Sequence, residues 1–286
     1  MKIGLVLEGG GMRGLYTIGV LDLFMEKDFM PDYVIGVSAG ACNAASYLSG
    51  QKGRGYAVHA DYIDDKRYIG FGNFIKTGSV FGMDLMFDEI PNKLNPFDYD
   101  ALQNNPCQFI IGVTDMYTGN SVYFDKSHLT PPLAALRASS SIPAFSPPVP
   151  YESGLYCDGG TSDPIPVKKA IEDGCDRVIV VLTRDRTYQK NKESFRPFYR
   201  RILKKYPNLV SLLDRRHEIY NDSRDYLQTL EKEGRAVVIA PSCPIRISRF
   251  EKNMDKLSAL HRLGFTDADA AFDQITALCQ GGERHD

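Results

Sequence analysis

Two periods of apolar residues alternate along this chain. Lys2 to Leu7 is a nearly continuous apolar run that stops at Glu8, and it reads as a buried strand followed by the glycine-rich turn Gly9 to Gly14. Leu15, Ile18, Leu21 and Met25 then recur at helical spacing until Pro31. A second apolar run, Tyr33 to Val37, ends at Ser38. Strand, glycine loop, helix and strand make one βαβ unit. Its right-handed crossover sets the strands parallel and puts both special loops at the C-terminal ends, where open α/β sheets carry their sites.

The pattern continues less regularly. Residues 51–100 are rich in Tyr, Phe, Gly and Asp, and the aromatic stretch 68–90 reads as a packed insertion, with a mobile cover over an apolar cleft as the alternative. Phe109 to Thr114 and Ser121 to Phe124 predict paired strands about the Tyr117–Asn120 turn. A helix is expected from Pro131 to Ala138, a short strand over Leu155–Cys157, a helix over Ile165–Glu172 and a strand over Arg177–Leu182. A long polar helical region to Glu233, a strand over Ala236–Ala240 and helices near 253–262 and 267–279 complete an α/β alternation. The expectation is one domain over 1–286, with 240–286 as a helical C-terminal extension.

Composition narrows the function classes. A formal net charge of -2 argues against nucleic acid as partner. The six cysteines show no C-x-x-C pair and no metal-ligand spacing, so scattered reduced thiols and a cytoplasmic setting are expected. The first apolar run is far shorter than a signal peptide's apolar region or the ~20 residues of a membrane span.

Candidate chemistry concentrates in the two loops. Gly36-Val37-Ser38-Ala39-Gly40, directly after a strand and before a small-residue run, has the layout of a nucleophile elbow, in which a serine is held strained with its hydroxyl exposed. Gly36 and Gly40 would remove Cβ atoms where strand and helix backbones approach. The alternative is a Ser/Gly turn without chemistry. Gly9-Gly10-Gly11-Met12-Arg13-Gly14 satisfies G-x-G-x-x-G, yet Ser38 stands where a dinucleotide site needs an acidic residue, and no Gly-Lys-Ser/Thr follows. Backbone N–H groups of such a turn can instead hold an oxyanion, with Gly10 and Gly11 as expected donors. Arg13 either holds this loop or is a solvated arginine at the helix start.

A serine nucleophile needs a base. Asp158, in the turn Asp158-Gly159-Gly160, is the strongest candidate, although Asp-Gly is also a common plain turn. His59, His128, His217, His261 and His285 lie in no motif, and only His128 is kept as a triad alternative.

The ordered set Gly9–Gly14, Gly36–Gly40 and Asp158–Gly160, with Arg137-Ala138-Ser139-Ser140-Ser141-Ile142-Pro143 between, resembles the patatin-like phospholipase family over residues 4–170. The resemblance implies a three-layer α/β/α sandwich with a mostly parallel central sheet and hydrolysis of acyl esters of lipids. It also implies a Ser38–Asp158 dyad, an oxyanion hole in the Gly9–Gly14 turn, and no metal or other cofactor. Ser248 to Asn253 and Leu260 to Phe265 resemble the tail of a bacterial branch, with no role attached. A general carboxylesterase on small soluble esters and a non-catalytic lipid-binding module are the competing readings. Residues 186–205 carry eight Lys/Arg against Glu193, with aromatic and aliphatic residues interleaved. They read as a solvated helix face or as a peripheral contact with anionic membrane.

Overall fold

The computed structural model describes residues 1–281. Eight strands form one sheet in the order β5-β6-β3-β2-β1-β7-β8, with β4 paired to β3. They are β1 (Ile3–Leu7), β2 (Tyr33–Val37), β3 (Gln108–Asp115), β4 (Ser121–Asp125), β5 (Val149–Tyr151), β6 (Gly154–Asp158), β7 (Arg177–Val181) and β8 (Ala236–Ile239). β3, β2, β1, β7 and β8 run parallel, while β4, β5 and β6 are antiparallel additions. The helices are α1 (Gly14–Glu26), α2 (Ala39–Leu48), α3 (Arg54–Tyr62), α4 (Phe71–Thr77), α5 (Tyr99–Asn104), α6 (Ala134–Ser139), α7 (Val167–Glu172), α8 (Arg196–Ile202), α9 (Pro207–Lys232) and α10 (Met254–Gln280).

Strand alternation creates the three layers. Leu5 and Leu7 of β1 and Val34 of β2 pack with Leu15, Ala44 and Leu260 of α1, α2 and α10 on one face. Val6, Tyr33 and Ile35 point the other way and pack with Ala170 of α7 and Leu227 and Leu230 of α9. Burial on both faces explains why these strands read as unbroken apolar runs.

Three boundaries differ from the pattern-based expectation. The two expected C-terminal helices are one, α10, because Gly264 marks a helix crossing instead of an end: a Cβ there would lie 2.0 Å from the Tyr16 carbonyl oxygen of α1. The long polar helical region divides at Pro207, which opens α9 at a position where a missing N–H costs nothing. The helix expected from Pro131 begins at Ala134, after Leu133 takes a left-handed conformation with φ 56°. Residues 68–90 are packed, with Tyr68, Ile69, Phe81, Phe87 and Ile90 buried in the main core, while Phe71 and Ile75 of α4 are exposed.

Candidate active site

The sheet brings Ser38 and Asp158 together by register. β2 pairs with β3 through Val37 and Gly112 and then ends. β6 takes over the same edge of β3 immediately beyond, pairing Asp158 with Val113, while β4 occupies the opposite edge. The C-terminal end of β2 therefore meets the C-terminal end of β6. A Cβ on Gly159 would sit 2.1 Å from the Gly112 carbonyl oxygen, so this junction admits no side chain there.

Ser38 has φ 55° and ψ -129°, a sparsely populated conformation for a residue with a side chain. The strain is held by close backbone packing. A Cβ on Gly36 would lie 2.7 Å from the Ala41 nitrogen, and one on Gly40 would lie 2.4 Å from the Leu7 carbonyl oxygen. Ala39 opens α2 at the N-terminal end, whose free amides face the serine.

Asp158 is fixed from several sides. Its amide donates to the Ser141 carbonyl (2.9 Å), Thr114 Oγ1 donates to its carbonyl (2.9 Å), and its Oδ1 accepts the Gly160 amide (2.8 Å). Burial raises its pKa above the usual carboxylate range, against the Ser38 hydroxyl, the Arg216 guanidinium, the Gly160 amide and Arg249, which all favour the ionised form.

The glycine turn lies beside the serine, since a Cβ on Gly9 would meet Ser38 Cβ at 3.0 Å. Its amides are not equivalent. Met12 N–H donates to the Arg249 carbonyl (3.2 Å) and Arg13 N–H to the Gly10 carbonyl (3.3 Å), while Gly14 N–H is taken by the carbonyls of Gly11 and Met12. The amides of Met12, Arg13 and Gly14 are thus already engaged, unlike a set of amides held open for an incoming group. Gly11 has φ +56°, and a Cβ there would strike the Arg249 carbonyl oxygen at 2.6 Å, so only glycine fits. Arg13 is 8% exposed, so the solvated reading of it does not hold. Burial, with Arg184 and Arg249 nearby, lowers its pKa to about 10.

Two cavities meet at Ser38. One, of about 130 Å³, is apolar, with Met83, Met86, Phe87, Ile90 and Leu136 among its walls. The other, of about 70 Å³, is lined by Arg13, Asp158, Lys190, Arg216 and Arg249.

A family model described as patatin-like phospholipase matches residues 5–171, the part of the chain that carries the elbow, the glycine turn and the aspartate turn. The chain belongs to the patatin-like phospholipase family. A second model, for a domain of unknown function, matches residues 206–280, which begin at the residue before α9 and run through β8 and α10. Among similar proteins is the uncharacterized protein YjjU of Escherichia coli, 29% identical over 276 residues that cover 92% of this chain and 75% of that one. An uncharacterized NTE family protein of Mycobacterium tuberculosis, Rv1063c, is 26% identical over 63% of this chain and 48% of its own length. The lysophospholipase nte1 of Emericella nidulans is 25% identical over 63% of this chain and 12% of its own length. The chain thus spans three-quarters of the first of these relatives and about half or less of the others. The fold is similar to that of VipD from Legionella pneumophila, with a TM-score of 0.53, 14% identity and coverage of 95% of this chain and 67% of that one.

In this patatin-like frame the triad alternative His128 and three of the other histidines have partners of their own, and His59 also lines the apolar cavity with Ser38. His128 Nδ1 bonds to the Tyr151 hydroxyl (2.9 Å) and lies 3.2 Å from Glu152, on the β4–β5 side. His261 bonds to Asp22 (2.8 Å) and His59 to the Tyr68 hydroxyl (2.8 Å), while His217 lies 3.8 Å from Glu218. His285 lies outside the described residues. No group of three or more His, Cys, Asp or Glu side chains could hold a metal ion among the described residues.

Several site residues escaped the sequence reading. Ser139 Oγ accepts the Ser38 amide (2.8 Å) and donates to the Gly112 carbonyl (2.7 Å). Arg216 Nε donates to the Gly160 carbonyl (2.7 Å), and Thr183 Oγ1 donates to the Gly9 carbonyl (3.1 Å). The Ser248–Asn253 run supplies Arg249, whose carbonyl holds the glycine turn, and Phe250, whose ring packs on Phe81 and Phe145. Resemblance had marked that run; its chemistry appears only when the chain folds back.

Proposed function

We propose that this chain is a serine acyl hydrolase of lipids, of phospholipase A or lysophospholipase type, working through Ser38 and Asp158 and acting at the surface of anionic membrane. The observation that supports it most is the junction of β2 and β6, which sets a strained serine beside a buried aspartate at the meeting point of an apolar and a charged cavity.

The mechanism follows from that placement. Asp158 accepts the Ser38 proton as Oγ attacks the ester carbonyl, and the amides of Gly10 and Gly11 take the developing oxyanion. The proton passes to the departing alcohol as the C–O bond breaks. Water, deprotonated by the same carboxylate, then attacks the acyl carbonyl, and the proton returns from Asp158 to Ser38 Oγ as the acid is released. The apolar cavity suits the acyl chain. Asp158 is raised by burial, which makes it a better base than a free carboxylate, and oxyanion donors worth about 10²–10³ each in rate complete the acceleration. No helix among the described residues is long and apolar enough to cross a membrane, so in this reading the enzyme meets lipid at the surface.

The test is labelling with a long-chain organophosphonate, followed by peptide mapping. The adduct is expected on Ser38, and none on Ser38→Ala that remains folded. Asp158→Asn should lower acylation by roughly 10²–10⁴, the scale of general-base catalysis, while His128→Ala changes it little. An adduct on another serine, or an Asp158→Asn variant of near-normal rate, removes the dyad.

A further inference from the structure

The charged cavity is richer in cations than a proton-transfer site needs. Arg13, Arg184, Lys190, Arg216 and Arg249 line it, from the glycine turn, the segment after β7, α9 and the run before α10. Only Glu8 and Asp158 supply carboxylates to its wall, and Glu193 stands behind Lys190 (2.8 Å) and Arg216 (3.2 Å). Glu8 is already engaged, since its carboxylate accepts the Thr183 amide at 2.6 Å. Arg13 is 8% exposed and its Nε has no hydrogen-bond partner; Arg184 Nε is buried without one as well. An unpaired guanidinium N–H in such a place is costly. Lys190 is pressed down to about 8 by burial and by Arg216 and Arg249, as befits a cluster short of negative charge.

Gly11 and Ser38 line both this cavity and the apolar one. An ester held at Ser38 with its acyl chain on the apolar side turns its alcohol part toward the cations.

We propose that the cluster of Arg13, Arg184, Lys190, Arg216 and Arg249 is a phosphate subsite that selects acyl esters whose alcohol carries a terminal phosphate monoester, such as 1-acylglycerol 3-phosphate. A dianion matches the surplus positive charge, and guanidinium forks suit phosphate oxygens. A choline-capped diester brings a fixed cation into the same crowd and is disfavoured. The proposal rests on the reading of Ser38 as nucleophile for the order of the two cavities, but not for the binding of phosphate itself. Four of the cations come from residues 184–249, beyond the segment that matches the patatin-like model, so the selectivity belongs to the second half of the chain.

The test uses the full chain and the variants Arg249→Met and Lys190→Met, each checked for folding by thermal melting. The ratio of kcat/KM on 1-acylglycerol 3-phosphate to that on a monoacylglycerol of the same chain should favour the phosphate in the parent. It should drop about tenfold in each variant, the size of one lost charge-assisted hydrogen bond. Calorimetry with glycerol 3-phosphate, inorganic phosphate and glycerol provides a readout independent of hydrolysis. Glycerol 3-phosphate should bind more tightly than inorganic phosphate, both should weaken in the variants, and glycerol should not bind. Equal ratios in parent and variants, or inorganic phosphate binding as tightly as glycerol 3-phosphate, would overturn the substrate assignment. Absence of binding by either anion would overturn the subsite. If Ser38 takes no phosphonate while glycerol 3-phosphate still binds through Arg249, the hydrolase reading fails and the anion subsite stands.

Discussion

Ser139 holds Ser38 from behind: its hydroxyl accepts the Ser38 amide at 2.8 Å and donates to the Gly112 carbonyl at 2.7 Å, with Ser139 fully buried. One side chain thereby ties the elbow to the central strand of the sheet. Two residues on, the Ser141 carbonyl accepts the Asp158 amide, so a single short segment braces nucleophile and base together. Ser139→Ala leaves a buried N–H and a buried C=O without this partner, which costs about 1–3 kcal/mol per unsatisfied group. The expected outcome is lower stability in urea unfolding together with slower phosphonate labelling at temperatures where the variant is folded. A variant that is destabilised yet labels at the parent rate would show that Ser139 supports the fold without positioning Ser38.

The pH dependence of acylation follows from Asp158. As base it must be ionised, so activity rises with pH through its pKa and falls off on the acid side. Burial raises that pKa, which moves the acid limb above the ordinary carboxylate range near ~3.9. Arg216 favours the ionised form. Replacing it with Met therefore raises the Asp158 pKa further and moves the acid limb to still higher pH. The shift is read from kcat/KM on a neutral ester between pH 4 and pH 8, roughly the span over which a perturbed carboxylate titrates. Movement to lower pH in Arg216→Met contradicts this electrostatic coupling.

The basic stretch 186–205 is less free than its composition implies. Arg186 pairs with Glu231, Lys190 turns inward to Glu193, and Arg196 and Arg200 both reach Asp214. Lys192, Arg201, Lys204 and Lys205 remain, beside the exposed Phe195, Phe198 and Ile202. Each basic group near an anionic surface is worth ~1 kcal/mol, a contribution that salt screens, so binding to anionic vesicles is expected and should weaken as salt rises. Phe195→Ser with Phe198→Ser should reduce sedimentation with such vesicles more than Lys192→Gln does, because apolar insertion adds to the charge term. Equal sedimentation with neutral and anionic vesicles at low salt excludes this contact.

What was legible in the sequence was local. The elbow and the β1-α1-β2 unit are dictated within residues 3–41 by Gly36 and Gly40 at backbone contacts and by apolar strands buried on both faces, whereas the glycine turn is also held from Arg249. Asp158 was legible as a turn, but its meeting with Ser38 depends on where β6 joins β3, a register that no local pattern encodes. Ser139 looked like one serine among three. Arg216 follows Arg215 in a polar helix, and only the fold shows that Arg215 faces outward while Arg216 turns in to the Gly160 carbonyl. Arg249 lay in a run marked only by resemblance, with no role attached, because its carbonyl and its side chain reach the glycine turn and the charged cavity only once the chain folds back.

Gly264 shows the limit of reading glycine as a helix stop, and it supplies the last prediction. α1 and α10 cross so closely that a Cβ on Gly264 would lie 2.0 Å from the Tyr16 carbonyl oxygen, and one on Gly19 would lie 2.0 Å from the His261 carbonyl oxygen. Both obstacles are backbone, so neither can rotate aside. The two helices must separate to admit a methyl group, which disturbs the packing of Leu257 and Leu260 into the main core. Gly264→Ala and Gly19→Ala should therefore destabilise by about 1–3 kcal/mol or more, despite the better helix propensity of alanine. Gly72 in α4 is the control, since a Cβ there meets nothing within 4 Å. Gly72→Ala should be neutral or gain up to about 1 kcal/mol through reduced freedom of the unfolded chain. Guanidinium unfolding of the three variants decides the matter. If Gly264→Ala and Gly72→Ala shift the midpoint alike, the crossing of α1 and α10 is not what Gly264 serves.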